Sequence, residues 1–260
     1  MFRYLEIRRD GPVEHLTLNR PDVRNAFNDE VVAELAAWAA GLVQDPGVRA
    51  VVLAGAGKVF SAGADAAWMA RMADASEAEN EADALATTAM LRAINTLPVV
   101  VIGRLHGAAL GGGAGLAAVC DIVVAAEGTI FGFTETKLGI LPSMISPFVL
   151  PKIGVSAARE LFLTGARFDA ARALAIGLAH AVVPAEALDE AVGRYVSETL
   201  GAAPSAVAAA KALIPQVWGR RPEDVAALTA HTIAAQRASA EGQEGLRAFL
   251  GKRPPSWVPR

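Results

Sequence analysis

The chain has 260 residues, of which 53% are hydrophobic, and a formal net charge of −3. This length can bury a substantial core, and one domain with an appendage is the natural organisation. Charges of one sign form no block along the chain, which argues against a surface for nucleic acid or for an anionic membrane. The single cysteine, Cys120, excludes an internal disulfide, and its apolar neighbours predict a buried, unreactive thiol.

No stretch of the sequence predicts a targeting signal, a membrane span or a metal site. The first ten residues lack an uninterrupted apolar run and predict a strand, and no later stretch combines the length and the apolar character of a span. The histidines His15, His106, His180 and His231 show no metal-ligand spacing, and His106 is expected to be structural. We therefore expect a soluble, cytoplasmic protein without a metal.

The first half of the chain predicts strands that alternate with helices. A turn at residues 10–12 separates the first two strands, and Asn28 is positioned to cap the first helix. Ser76 and Glu79 form a capping-box pattern at the start of a long helix that ends before Pro98. In order, we predict strands at 3–9 and 13–19, a helix at 28–43, a strand at 48–54, a short helix after 65, the long helix from 76 and a strand at 99–103.

The second half predicts two short strands, an irregular connection and then helices. The strands lie at 122–126 and 129–133, the connection at 134–147, and mostly helical structure begins near 156. Asp169 is positioned to cap a segment that ends at Gly177, and further helices are predicted at 186–200, 204–214, 222–238 and 241–250. The recurring order of strand, strand and helix favours an α/β fold of stacked ββα turns. The alanine-rich tail favours an oligomerising appendage.

Two glycine-rich loops each connect a strand to a helix. The first occupies residues 55–65, and the second is centred on residues 111–113. Glycine lets the backbone approach a ligand closely, and the first N–H groups of a helix have no partner within it. N–H groups that converge from both loops could hold a carbonyl oxygen that becomes negative during a reaction, as in an oxyanion hole. For either loop alone, a packing corner without chemistry is the alternative.

Five motifs occur in order along the chain: NRPDVRNAF, FSAGAD, HGAALGGGAGLAAVCDIVVAA, FGFTETKLGILP and LTGARFDAARALAIGLAHAVV. Over essentially its whole length, the chain resembles the enoyl-CoA hydratase/isomerase (crotonase) superfamily. The resemblance implies the crotonase fold, with a ββα spiral at 1–195 and a helical trimerisation region at 196–260, assembled as a homotrimer or homohexamer. It implies an acyl-CoA substrate and no cofactor beyond the CoA of that substrate. It also places two oxyanion donors at the backbone N–H groups of Ala64 and Gly112.

Hydratases of this superfamily use two glutamates, and only one of them has a counterpart here. The resemblance places the first at Gly115 and the second at Glu135. A hydratase adds a hydroxyl to Cβ and a proton to Cα, and two carboxyl groups with suitable pKa values can divide this work. We interpret Glu135 as the single acid/base residue. The alternative is a solvated side chain paired with Lys137.

A single glutamate leaves two reactions open. Isomerisation of a Δ3- to a Δ2-enoyl-CoA needs one base, whereas hydration also needs a group that holds the water. Candidates for that group are Ser143, Ser146, the backbone at Gly115 and a carboxylate of the substrate. The sequence is similar to the bacterial methylglutaconyl-CoA hydratase-like branch, which also has glycine at the first glutamate position. This similarity favours hydration of a short, branched or carboxylated 2-enoyl-CoA, such as 3-methylglutaconyl-CoA. A silent CoA-binding homologue is a less favoured alternative.

The remaining candidates would bind the substrate. By the resemblance, Arg24 would contact a CoA phosphate, and Phe249 and Lys252 would reach the CoA from a neighbouring subunit. Trp68, with Met69 and Met72, would wall the acyl pocket, although core packing is the commoner role for such residues. Backbone groups would line the pantetheine and adenine region at Ala62, Ala64, Asp65, Ala66 and Ala67. Asp65 could instead cap the following helix, and Arg24 could be a solvated loop residue.

Overall fold

The computed structural model of the chain describes residues 2–258 and contains two β-sheets within that range. The strands are β1 Leu5–Asp10, β2 Val13–Leu18, β3 Ala50–Gly55, β4 Val100–Leu105, β5 Ala108–Leu110, β6 Ile122–Ala126, β7 Ile130–Gly132, β8 Arg167–Asp169 and β9 Ala181–Val183. Six strands form the main sheet in the order β1, β2, β3, β4, β6, β9, and the smaller sheet has the order β5, β7, β8. Only the pairs β1–β2 and β7–β8 are antiparallel in these sheets.

Helices cover the sheets and form the C-terminal part of the described chain. They are α1 Asp29–Val43, α2 Ala66–Asp74, α3 Glu77–Asn95, α4 Gly112–Val119, α5 Ser146–Thr164, α6 Ala170–Ala175, α7 Leu188–Gly201, α8 Pro204–Val217, α9 Pro222–Ala238 and α10 Ala240–Leu250. The predicted caps are confirmed: the Asn28 side chain accepts from Val31 N, and Ser76 and Glu79 form the capping box. No helix in the described residues has the length and apolar character needed to cross a membrane.

The predicted ββα order is confirmed in the middle of the chain. Strand β4 of the main sheet is followed by β5 of the smaller sheet and then by α4, and β6 is followed in the same way by β7 and α5. The first of these turns therefore places the N-terminus of α4 directly after β5 of the smaller sheet. The main apolar core lies between the main sheet and helices α1, α3, α4 and α5, and it contains fully buried residues such as Leu53, Leu105 and Phe133.

The structure corrects two expectations in the middle of the chain. Residues 108–110, where the sequence predicted no strand, form strand β5 by pairing with β7. Helix α5 begins at Ser146, ten residues earlier than expected, with Pro147 in its first turn and a break at Gly154, whose φ is 71°. Proline is accepted in the first turn of a helix, since its missing N–H would be unpaired there. The predicted division at 195/196 falls inside α7, so a separate C-terminal region, still a prediction, would begin after this helix.

Candidate functional site

The first glycine loop is held against β5 and against the segment that precedes α1. Ser61 N donates to Ala108 O at 3.0 Å, and Leu110 N donates to Ser61 O at 3.1 Å. On the other side, Phe27 N donates to Gly63 O and Asp65 N donates to Phe27 O, both at 2.7 Å. These two hydrogen bonds use the carbonyl of residue 63 and the N–H of residue 65, the two neighbours of Ala64. Among the hydrogen bonds of the described residues, none uses the N–H of Ala64.

The second glycine loop approaches the first through Gly63. A Cβ at Gly63 would lie 2.6 Å from Leu110 O and 3.5 Å from Gly112 N, and its φ is +92°, so only glycine fits here without strain. Gly111 N donates to Gly132 O at 2.8 Å, and Gly112 begins α4 with an N–H that no hydrogen bond of the described chain uses. The packing therefore brings two free backbone N–H groups, those of Ala64 and Gly112, to neighbouring loops.

Ala64, Gly112 and Glu135 line one cavity of about 90 Å³. Its other lining residues are Phe27, Trp68, Thr87, Leu91, Ile140, Leu141, Pro142, Ser143, Met144 and Ile145. Most of these side chains are apolar, and none is basic. The three residues expected to carry the chemistry thus share one small, largely apolar space, as a substrate site requires.

Glu135 has the surroundings of an acid/base group. It begins a 3₁₀ turn at Glu135–Leu138, and its Oε1 lies 3.4 Å from the position that a Cβ on Gly111 would take. Its Oε2 is buried without a hydrogen-bond partner, and burial raises the pKa of this carboxyl above the ordinary value for glutamate. The described ion pairs include none with Lys137, which is exposed. This side chain is therefore not the solvated residue of the alternative interpretation.

The position of the absent glutamate is filled by a different side chain. A Cβ on Gly115 would overlap Ile145 Cγ2 and would lie 2.8 Å from Ile145 Cβ. Ile145 itself is buried and lines the cavity. An acidic side chain at 115 would therefore have to displace Ile145, and the backbone at Gly115 is covered rather than open to water. The Gly115 backbone, one of the candidates for holding the attacking water, is therefore excluded in this structure.

The two serines proposed as water holders lie in different places. Ser143 lines the cavity but is exposed, whereas Ser146 is not among the lining residues. The Ser146 hydroxyl donates its proton to Ser143 O at 2.8 Å within a local turn, so this proton is not available to a water in the cavity. Thr87 of α3 lines the cavity and was not among the expected residues. Its only signal in the sequence is its place on the apolar stripe of α3, three, four and seven residues before Met90, Leu91 and Ile94.

Only one of the three residues expected to wall the acyl pocket does so. Trp68 is buried and lines the cavity, and its Nε1 donates to Asp83 Oδ1 at 3.1 Å, which fixes the indole ring against α3. Met69 is exposed and Met72 is half-buried, and neither lines the cavity. The two methionines lie one and four residues after Trp68, so α2 turns Met69 away from the site, whereas Met72 packs at the edge of the core.

Asp65 acts as a helix cap in this structure. Its Oδ1 accepts from Ala67 N and Trp68 N at the start of α2, and its Oδ2 accepts from Arg20 at 3.0 Å in a largely buried ion pair. The capping interpretation is therefore confirmed for the side chain. Contacts of the Asp65 backbone with CoA stay a prediction, as do those of Ala62, Ala66 and Ala67. Ala62 N donates to Arg24 O at 2.9 Å, and Ala66 and Ala67 are exposed.

The other predicted CoA-binding residues lie at exposed positions. Arg24 is exposed in a left-handed conformation with φ of 56°, next to the first glycine loop. Phe249 is 81% exposed near the end of α10, and Lys252 follows this helix. Neither residue lines the cavity of its own chain. A contribution from Phe249 or Lys252 would therefore have to reach the site of another subunit, and it stays a prediction.

The two sheets, the ββα turns and the cavity define a crotonase-fold protein, and comparison with known proteins gives the family. The sequence profile described as "Enoyl-CoA hydratase/isomerase" matches residues 8–260. The chain is similar to the crystal structure of an enoyl-CoA hydratase from Shewanella pealeana, with 35% identity, a TM-score of 0.95 and coverage of 98% of this chain and 96% of that one. It is also similar to the crystal structure of an enoyl-CoA hydratase/isomerase from Marinobacter aquaeolei, with 37% identity, a TM-score of 0.92 and coverage of 98% of this chain and 99% of that one. A Citrobacter koseri relative named carnitinyl-CoA dehydratase is 32% identical over 268 residues, covering 100% of both chains. The chain belongs to the enoyl-CoA hydratase/isomerase family.

Proposed function

We propose that this protein adds water to the 2,3 double bond of a short 2-enoyl-CoA. The observation that carries the proposal is the buried, unpaired Oε2 of Glu135, a residue that lines the same cavity as two residues with free backbone N–H groups, Ala64 and Gly112. The family and the named hydratase relatives support the same class of reaction.

In this proposal the two N–H groups donate to the thioester oxygen of the substrate. Attack of water at Cβ moves an electron pair onto that oxygen, and donors already in place stabilise the charge without reorganising. Loss of one such donor typically raises a barrier by about 3–4 kcal/mol. Ala64 and Gly112 donate through the backbone, so their side chains contribute little to this step.

Glu135 would handle both protons of the addition. Its carboxylate removes a proton from the attacking water while the oxygen bonds to Cβ, and the resulting carboxylic acid then gives a proton to Cα. The Cα–Cβ double bond becomes a single bond, and the thioester is restored. A raised pKa favours this shuttle, because the carboxyl is then closer to the range in which it both accepts and donates.

The cavity favours a short acyl group. Its volume of about 90 Å³ and its apolar walls suit a few carbon atoms, with or without a branch. None of the lining residues is basic, so an uncharged acyl group is the first candidate. A carboxylated group such as that of 3-methylglutaconyl-CoA is the second, because it would need a cation from outside this cavity.

Isomerisation of a Δ3- to a Δ2-enoyl-CoA is a second candidate function. It is favoured by one specific observation, that Ile145 fills the place of a second carboxyl group and leaves a single base. The same Glu135 and the same N–H donors would serve that reaction.

A small panel of acyl-CoA substrates tests the proposal. The panel contains crotonyl-, 3-methylcrotonyl-, 3-methylglutaconyl- and 3-hexenoyl-CoA. Hydration removes the absorbance of a conjugated 2-enoyl thioester, and isomerisation of the 3-enoyl compound creates it. Glu135→Gln should lower kcat by about two orders of magnitude or more, while exposed Glu127→Gln, away from the cavity, should leave it unchanged. Full activity of Glu135→Gln would contradict the assigned role.

We also propose a homotrimer or homohexamer. Large apolar side chains of the C-terminal helices are exposed in the single chain: Trp218 at 67%, Phe249 at 81% and Leu250 at 78%. Exposed apolar surface of this kind is typical of an interface between subunits. Light scattering coupled to size-exclusion chromatography measures the mass, and a monomer at micromolar concentration would contradict this proposal.

A further inference from the structure

Helix α3 contributes Thr87, a buried residue with an unpaired hydroxyl, to the wall of the cavity that contains Glu135. Thr87 is only 5% exposed, and its Oγ1 has no hydrogen-bond partner. The residue lines the same cavity as Glu135, whose Oε2 is also buried without a partner. Two residues of the cavity wall therefore each carry a buried polar atom that no hydrogen bond of the described chain satisfies.

The free hydroxyl of Thr87 differs from the hydroxyls of three other threonines that lie within helices of the described chain. Thr164, Thr199 and Thr232 each donate their hydroxyl to the backbone carbonyl four residues earlier, at 2.7 to 2.8 Å. This local bond is the usual way for a threonine within a helix to satisfy its proton. Thr87 does not form it. A buried hydroxyl without a partner is costly, so its partner is expected to be a molecule that enters the cavity.

The reaction requires a second polar partner for the water, and among the expected residues only Ser143 lines the cavity with a hydroxyl, on an exposed residue. A bound water needs two to four polar contacts, and Glu135 supplies one of them. Ile145 occupies the space of the second carboxyl group, and Ser146 gives its proton to Ser143 O. The backbone N–H groups at 64 and 112 are committed to the thioester oxygen.

We propose that the Thr87 hydroxyl, together with Glu135, holds the water that attacks the substrate. This inference rests on the proposed hydratase function. The water donates one hydrogen to the Glu135 carboxylate and accepts a hydrogen bond from the Thr87 hydroxyl, which leaves the other lone pair of the water oxygen to point toward Cβ. When the O–Cβ bond forms, the proton passes to Glu135 and later to Cα. Thr87 exchanges no proton and keeps its hydrogen bond to the new hydroxyl.

Three variants on α3 test this role. Thr87→Val removes the hydroxyl at nearly constant volume, Thr87→Ser keeps it, and Thr88→Val makes the same change at the next residue, which is half-buried and does not line the cavity. The measurements are kcat for crotonyl-CoA hydration, the Kd of butyryl-CoA, which has no double bond to hydrate, and the Tm.

We expect Thr87→Val to lower kcat by about tenfold to a hundredfold, with the Kd of butyryl-CoA within about twofold of wild type. Thr87→Ser should retain kcat within about threefold, and Thr88→Val should match the wild type. The Tm of Thr87→Val should be equal or higher, since an unpaired buried hydroxyl is lost. A purely structural threonine would instead lower the Tm.

Each contrary result has one meaning. Unchanged kcat in Thr87→Val, or an equal loss in Thr87→Ser, overturns the role of the hydroxyl while the hydratase proposal stands. Equal losses in kcat and in butyryl-CoA affinity overturn it as well, because the hydroxyl would then contact the acyl group. If the wild type hydrates no 2-enoyl-CoA, the proposed function itself fails, and this inference falls with it.

Discussion

Ile145 occupies the space beside Gly115, and a double-mutant cycle can measure the coupling between these two residues as a free energy of unfolding. The first perturbation is Gly115→Ala, which adds one methyl group inside the buried helix α4. That methyl would overlap Ile145 Cγ2 and would lie 2.8 Å from Ile145 Cβ, whereas ordinary contacts lie at 3.4–4 Å. Ile145 is 3% exposed and packed in the main core, so it has little room to move.

The expected magnitude follows from opposing terms. Overpacking costs about 1–3 kcal/mol, and alanine gains about 0.5–1 kcal/mol over glycine inside a helix. Because two carbons of a buried, branched side chain are affected, we expect Gly115→Ala to lose about 1–2 kcal/mol of unfolding free energy. Ile145→Ala alone should lose about 2–5 kcal/mol through the space it leaves. In the double variant the added methyl enters part of that space, so the loss should be about 1–2 kcal/mol smaller than the sum.

Urea unfolding at one fixed protein concentration gives the required free energies, since an oligomer's stability depends on concentration. Gly193→Ala is the matched control, because a Cβ at this exposed glycine of α7 meets nothing within 4 Å. It should stabilise the protein by about 0.5–1 kcal/mol. Additivity of the two changes within about 0.5 kcal/mol, or a Gly115→Ala variant more stable than the wild type, would refute the packing described here.

Three further predictions concern charged or titratable side chains. Because burial raises the pKa of Glu135 and its base form is needed, the acid limb of kcat/KM should lie above the ordinary glutamate pKa of about 4.3. The pKa of Glu135 is higher in the folded chain than in the unfolded chain. Its contribution to the free energy of unfolding is therefore fully present below the unfolded pKa, and it is lost as the pH rises through the folded pKa. Arg20→Met should destabilise by about 3 kcal/mol, since it leaves the Asp65 carboxylate largely buried and unpaired. Burial raises the pKa of Cys120 to about 12, so a thiol reagent at pH 8 should modify it only in denaturant.

Each of these predictions has a control and a contrary outcome. For Glu135, stability profiles of the wild type and of Glu135→Gln should diverge as pH rises, and parallel profiles would show that the carboxyl is not perturbed. For Arg20, the control is Arg71→Met, whose ion pair with Asp29 is exposed and should be worth at most about 1 kcal/mol. Equal losses in both arginine variants would contradict the buried pair. Rapid labelling of native Cys120 would contradict its burial.

Local signals in the sequence predicted the elements that depend on neighbouring residues. The caps at Asn28, at Ser76 with Glu79 and at Asp169 are present, and the helices that follow begin where these caps place them. Such signals are reliable because the side chain and the N–H groups that it satisfies lie within four residues of each other. Strand β5 carried no such signal, since its pairing depends on β7, which lies about 20 residues further along the chain.

Residue patterns along the chain were enough to predict the family, the ββα order, the two glycine-rich loops and the absence of a carboxyl at residue 115. Three features became visible only in the folded chain: Ile145 fills that place, Oε2 of Glu135 is buried without a partner, and Thr87, whose hydroxyl is unpaired, lines the same cavity. The difference arises from distance along the chain. Periodicity and capping are read from adjacent residues, whereas burial and cavity lining arise from segments tens of residues apart, whose contacts exist only once the core has packed.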